Sequence, residues 1–138
     1  MIRLRTLVIL TVILTALHLS AIVLGFYQGR VWVDTPLHII GGALLGLFWI
    51  WALERPSLRQ KFGNPSQLFT GFSIIGFSLL GSFLWEVWEF LFSTFAPGPA
   101  LFLKIYSFTV SDVLSDMFFG IVGGTAVAFW NKSVNNRP

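Results

Sequence analysis

Hydrophobic and polar positions along the chain sort into four long apolar runs, at about residues 4–26, 36–53, 68–95 and 111–130, and the segments between them carry most of the charge. Each run reaches the roughly 17–25 residues that an α-helix needs to cross a hydrocarbon layer. The first is entered from Arg3 and Arg5, as a secretory signal would be. Its apolar stretch continues past Ser20 to Gly25, longer than a signal core, which favours an uncleaved first helix. Pro36 suits the first turn of the second helix, with Asp34 or Thr35 as its cap, and Glu54-Arg55-Pro56 ends it. A polar connector from Glu54 to Gln67 leads to the third helix, which is about 40 Å long at 1.5 Å per residue and so must tilt or protrude. The Ala96-Pro97-Gly98-Pro99 run predicts a turn. The fourth helix is expected from about Ser111 to Trp130.

Composition turns four apolar runs into a class. Among 138 residues, 55% are hydrophobic and 11% charged, and the mean hydropathy is +0.78, which leaves too little polar surface to coat a water-soluble globule. The expectation is an all-α integral membrane protein, a four-helix transmembrane bundle forming a single domain over residues 1–138. The absence of cysteine excludes disulfides, thiolate metal sites and cysteine nucleophiles. A net charge of +3 raises the question of nucleic acid, but the basic residues flank apolar runs and form no patch, so they read as topology signals. Arg3, Arg5, Arg55, Arg59, Lys61, Lys132 and Arg137 fall on one side, against Arg30 and Lys104 on the other. Both termini are therefore expected in the cytoplasm of a cell whose inner membrane the chain crosses several times. Trp49, Trp51 and Trp130 fall at the predicted inner interface, and Tyr27, Trp32 and Tyr106 at the outer one.

Of the six acidic residues, all but Glu54 lie in or at the ends of the apolar runs, where an ionised carboxylate costs on the order of 3 kcal/mol. Asp34 and His38 open helix two, Glu86 and Glu89 close helix three, and Asp112 and Asp116 open helix four. The up-and-down topology brings all six side chains to one depth, near the outer boundary of the hydrocarbon. On helix three, Ser78, Ser82, Glu86, Glu89 and Ser93 form one stripe. Helix four offers Asp112, Asp116, Gly120 and Gly124; helix two offers Asp34, His38, Gly41 or Gly42, and Gly46; helix one offers Thr11, Thr15, His18, Ala21 and Gly25. Gly42-x-x-x-Gly46 and Gly120-x-x-x-Gly124 permit close helix approach. Asp34 before Gly41-Gly42 and Asp116 before Gly123-Gly124 also hint at an internal repeat, its two halves related about an axis along the membrane normal.

Carboxylates with one imidazole suit a hard or borderline divalent cation, and helical bundles build such sites from inward-facing Glu and His. Glu86, Glu89, Asp116, His38, Asp112 and Asp34 are the candidate ligands, with the metal's identity open. Asp34 and Asp112 serve equally as helix caps. His18 reads as an interhelical hydrogen bonder, and Trp85 and Trp88 as packing or lipid-facing residues.

Asp34-x-x-x-His38, Trp85-Glu86-x-x-Glu89 and Asp112-x-x-x-Asp116-x-x-x-Gly120 together resemble the VanZ-like and YjdF-like small bacterial membrane proteins, over roughly Asp34 to Gly124. Glu89 and Asp116 stand where the VanZ-like pattern has a glutamine and an asparagine, and no arginine precedes Asp112, so the acid-rich YjdF-like pattern is closer. The resemblance implies a cell-envelope membrane protein and no particular reaction.

Three functions fit. One is a metal-dependent enzyme acting on envelope lipids or lipid-linked substrates, with Ser82, Ser93 and Ser115 as nearby hydroxyls. Another is a non-catalytic module binding a cationic or lipid-linked envelope ligand. The third is a proton or ion carrier, which would require an oligomer, because the cytoplasmic halves offer no second set of ionisable groups. Beyond the lipid bilayer and such a ligand no partner is marked, and neither nucleic acid nor a nucleotide, haem or flavin is expected.

Overall fold

In hydrocarbon every backbone N–H and C=O must find a partner within the chain, so each apolar run closes on itself as an α-helix. The computed structural model describes residues 2–26, 34–103 and 109–135. Within them lie α1 (Leu4–Val23), α2 (Thr35–Leu53), α3 (Pro56–Phe62), α4 (Gln67–Phe95), α5 (Pro97–Leu103) and α6 (Val110–Asn135), and no strand. α1, α2, α4 and α6 are each long and apolar enough to cross a membrane. The aromatic residues Tyr27, Trp32 and Tyr106, and the basic residues Arg30, Lys104 and Arg137, lie outside the described residues.

Local chemistry sets the ends. α1 stops at Val23, before the expected Phe26, because Gly25 turns left-handed at φ 69. There the Phe26 N–H donates to Ala21 O at 2.9 Å and the Gly25 N–H to Ile22 O at 3.0 Å, the paired bonds of a Schellman motif. The polar connector contains a short helix, α3, with Pro56 in its first turn and Arg59 and Lys61 in its last. Ser66 caps α4 by accepting the Phe69 N–H. Pro97 and Pro99 do not make the expected turn: Pro97 starts α5, where a missing N–H costs nothing. α6 runs past Trp130 to Asn135.

α2, α4 and α6 pack against one another, and α1 packs chiefly on α2. α2 and α6 run parallel, with α4 antiparallel between them, and the contacts repeat one helical turn at a time. At one end, Ile74 of α4 meets Gly46 and joins Ile50 and Val127 in an apolar cluster. One turn along, the Ser78 hydroxyl donates to Gly42 O at 2.9 Å and fills the space beside Gly124. A turn further, Ser82 fills the space beside Gly120. The fourth turn holds Glu86 and Asp116, both buried.

Small residues make this possible. A Cβ on Gly42 would strike the backbone of Gly120, and one on Gly123 would strike Ile39 O and lie 2.7 Å from Ala43 N. The two glycine segments of the suspected repeat are thus packed directly on each other. Burial is otherwise sparse, and the many exposed Leu, Val, Ile and Phe side chains, abundant on α1, are the surface that meets lipid acyl chains.

Overpacking a backbone contact costs about 1–3 kcal/mol. Gly123→Ala is therefore expected to lower thermal stability in detergent, while Gly76→Ala, whose Cβ meets nothing within 4 Å, leaves it unchanged or raises it. Equal melting temperatures for the two variants would contradict the packing described.

Candidate functional site

The end at which α2 and α6 begin and α4 finishes collects the acids. Asp34 occupies the cap position of α2 but makes no capping hydrogen bond and is itself helical, at φ −74 and ψ −35. Its carboxylate turns to the side chain one turn on: Asp34 Oδ2 lies 3.3 Å from His38 Nε2. The same nitrogen lies 3.6 Å from Asp116 Oδ1 of α6. One ligand atom from each of Asp34, His38 and Asp116 falls within 4.8 Å of the others. Asp112 is not the cap of α6 either. Thr109 fills that role, accepting the Asp112 N–H on its hydroxyl at 3.2 Å, and Asp112 sits in the first turn, where a negative charge complements the helix dipole.

α4 divides its polar residues between two faces. Ser78, Ser82 and Glu86 follow at strict four-residue steps and are buried against α2 and α6. Glu86 is 6% exposed, with its Oε1 buried and without a hydrogen-bond partner in the protein. It stands one turn beyond Ser82, which packs beside Gly120, and so at the level of Asp116, one turn before Gly120 on α6. Glu89, expected on the same stripe, turns away because its three-residue step falls short of a full turn; its Oε1 accepts the Trp85 indole N–H at 3.0 Å. Ser93 donates to Phe90 O within its own helix. The candidate ligands thus separate into a close trio of Asp34, His38 and Asp116, a buried neighbour in Glu86, and two carboxylates, Glu89 and Asp112, outside that trio.

Beside this cluster lies a cavity of about 380 Å³ between α1, α2 and α4, within the range of small-molecule sites. α1 contributes Thr11, Leu14, Thr15 and His18, and α4 contributes Gly81, Ser82, Trp85 and Glu89. α2 contributes Asp34 and His38 at one end, and Gly41, Leu44 and Leu45 farther along. His18, which reads in sequence as a hydrogen bonder between helices, and Trp85, which reads as packing or lipid-facing, both line this space. The Thr11, Thr15, His18 stripe was visible along the chain, but the gap it faces depends on how far α1 stands from α4.

His38 joins the two features, since it lines the cavity and contacts both aspartates. Both ion pairs described at this end go to its imidazole. The imidazole, if protonated, would offset one carboxylate, and a proton or a cation would offset others of the cluster. Replacing Glu86 by its neutral isostere removes a buried ionisable group whose Oε1 has no hydrogen-bond partner in the protein. In the presence of a chelator, Glu86→Gln is expected to melt at or above the parent's temperature in a thermal-unfolding assay. A clear drop would show that the carboxylate has a stabilising protein partner.

Comparison with curated proteins and with solved structures gives no significant match. The family described as "Predicted membrane protein (DUF2238)" matches residues 2–137, nearly the whole chain. The four apolar helices agree with that description, and the chain belongs to this family of membrane proteins.

Proposed function

We propose that the protein binds a divalent cation at the acidic end of its bundle, through Asp34, His38 and Asp116, with Glu86 as a further ligand. The observation that carries this reading is the meeting of three ligand atoms from two helices within 4.8 Å. Oxygen and nitrogen ligands held about 2.0–2.6 Å from one ion stand about 3–4.5 Å from each other, and the His38 separations of 3.3 and 3.6 Å fall in that span. The buried Oε1 of Glu86, with no hydrogen-bond partner in the protein, supports it, because a bound cation would satisfy an acceptor placed beside an anionic cluster. Mixed carboxylate and imidazole ligation suits a borderline metal such as zinc or manganese better than calcium.

A cation so placed can polarise a phosphate or ester oxygen or lower the pKa of a bound water. The hydroxyls marked in the sequence do not add a nucleophile: Ser82 fills the space beside Gly120, Ser93 is bonded within α4, and Ser115 faces outward. Binding is accordingly the primary reading, and a hydrolytic reaction would proceed through metal-bound water. The excess of Lys and Arg at the opposite end of the bundle supports an orientation with both termini in the cytoplasm and the cation site toward the extracytoplasmic face of a bacterial inner membrane. The YjdF-like resemblance of the acidic motifs supports the same setting.

Elemental analysis of the detergent-purified protein, after dialysis against trace divalent metals, tests the reading. Near-stoichiometric metal is expected in the parent and in Glu89→Gln, and none in a Glu86→Gln, Asp116→Asn double variant. Saturating metal at one hundred times its Kd is expected to stabilise the parent by about 2.7 kcal/mol. Metal-free protein under all conditions, with no thermal shift, would overturn the proposal.

A further inference from the structure

We propose that the cavity between α1, α2 and α4 is a binding site for a single-chain amphiphile with an amine-bearing head, held with its chain along α2 and its ammonium at Glu89. The proposal stands on the cavity, not on the neighbouring cation site, although Asp34 and His38 border both.

Dimensions point to the chain. Asp34 and Leu45 bound the cavity along α2, a rise of about 16 Å at 1.5 Å per residue. That is close to the half-thickness of the hydrocarbon, about 15 Å. The slot therefore reaches from the ionisable level to about the bilayer midplane, the extent of one acyl chain in one leaflet. Its deep portion is formed by Leu14, Leu44 and Leu45 with Thr11, whose hydroxyl is already bonded to Leu7 O within α1. A Cβ built on Gly41 meets no atom within 4 Å, so this glycine, unlike its neighbour Gly42, is not needed for helix contact and leaves open volume.

Charge points to the head. Asp34 and Glu89 line the shallow portion, and among the described residues no Lys or Arg does. An anionic head would meet carboxylates alone or the two imidazoles, whereas an ammonium meets two carboxylates. Trp85 donates to Glu89 Oε1 and so fixes that carboxylate at the wall. Its ring also lines the cavity, and an indole face attracts a desolvated ammonium.

The test compares lysophosphatidylethanolamine with lysophosphatidylglycerol of the same chain length, two probes that share the phosphate and differ in the amine. Retention on the full-length protein is read by native mass spectrometry in excess chelator, so that failure of the cation site leaves the measurement unaffected. The parent is expected to retain the amine lipid about tenfold better, the scale of a partly desolvated ammonium on a carboxylate and an aromatic face. Glu89→Gln is expected to lose the preference while still retaining both lipids. Gly41→Leu is expected to lose retention of both and to melt no lower than the parent, since leucine extends into open space and favours the helix. Equal retention of the two lipids by the parent, or full retention by a folded Gly41→Leu, would mean annular lipid only and overturn the proposal.

Discussion

The close approach of α2 to α6 is the contact on which the rest of the molecule depends. In a bilayer, helices gain little from hiding apolar side chains from one another, because lipid is equally apolar; association relies on van der Waals contact and on hydrogen bonds between helices. Gly42 against Gly120 and Gly123 against Ile39 bring two backbones together with no side chain between them. α4 then lies in the groove and supplies one residue per turn, Ile74, Ser78, Ser82 and Glu86. The serines are small enough to sit beside Gly120 and Gly124, and Ser78 bonds across to Gly42 O. A larger residue at any of these glycines would separate the helices and move the acids that follow them.

That geometry explains how a costly arrangement of charge persists. Asp116 follows the same face of α6 as Gly120, and Glu86 the same face of α4 as Ser82, so the packing that seats the small residues also buries the two carboxylates, at 7% and 6% exposure. His38 sits between Asp34 and Asp116 for the same reason, one turn before Gly42 on α2. The carboxylates are held close by contacts made elsewhere in the bundle, which is how a cluster of acids is supported against its own repulsion.

α1 behaves differently. It packs chiefly on α2, and its separation from α4 leaves a cavity whose lining changes from Asp34, His38 and Glu89 at one end to Leu14, Leu44, Leu45 and Thr11 at the other. α4 serves both regions because neighbouring positions on a helix point about 100° apart. Glu86 turns to the packing with α2 and α6, Gly81, Trp85 and Glu89 turn to the cavity, and Ser82 borders both. The Trp85 to Glu89 hydrogen bond holds the second face in place at 3.0 Å.

Much of this was legible along the chain, because its signals are local. Four apolar runs of spanning length, Pro36 near the start of α2, and acids that topology brings to one level all follow from hydropathy and helical period. α1 ends before its apolar run does and helices begin at Pro56 and Pro97, because a left-handed Gly25 or a proline at a first turn looks the same in sequence whether a helix ends or begins there; α6 continues past its apolar run, whose limit hydropathy alone marks. Which acids meet was beyond one-dimensional reading. Glu86 and Glu89 share a stripe within the tolerance of helical spacing, and only the seating of Ser78 and Ser82 against glycine sends one into the cluster and the other to Trp85. Asp34 and Asp112 both stand at the start of a helix, yet Asp34 turns from the cap position to His38 while Thr109 caps the helix that carries Asp112 in its first turn. Composition and periodicity determine that helices form and which faces are polar; contacts between residues far apart in sequence determine which polar faces meet, because the distance between two helices is set by the smallest residues they share.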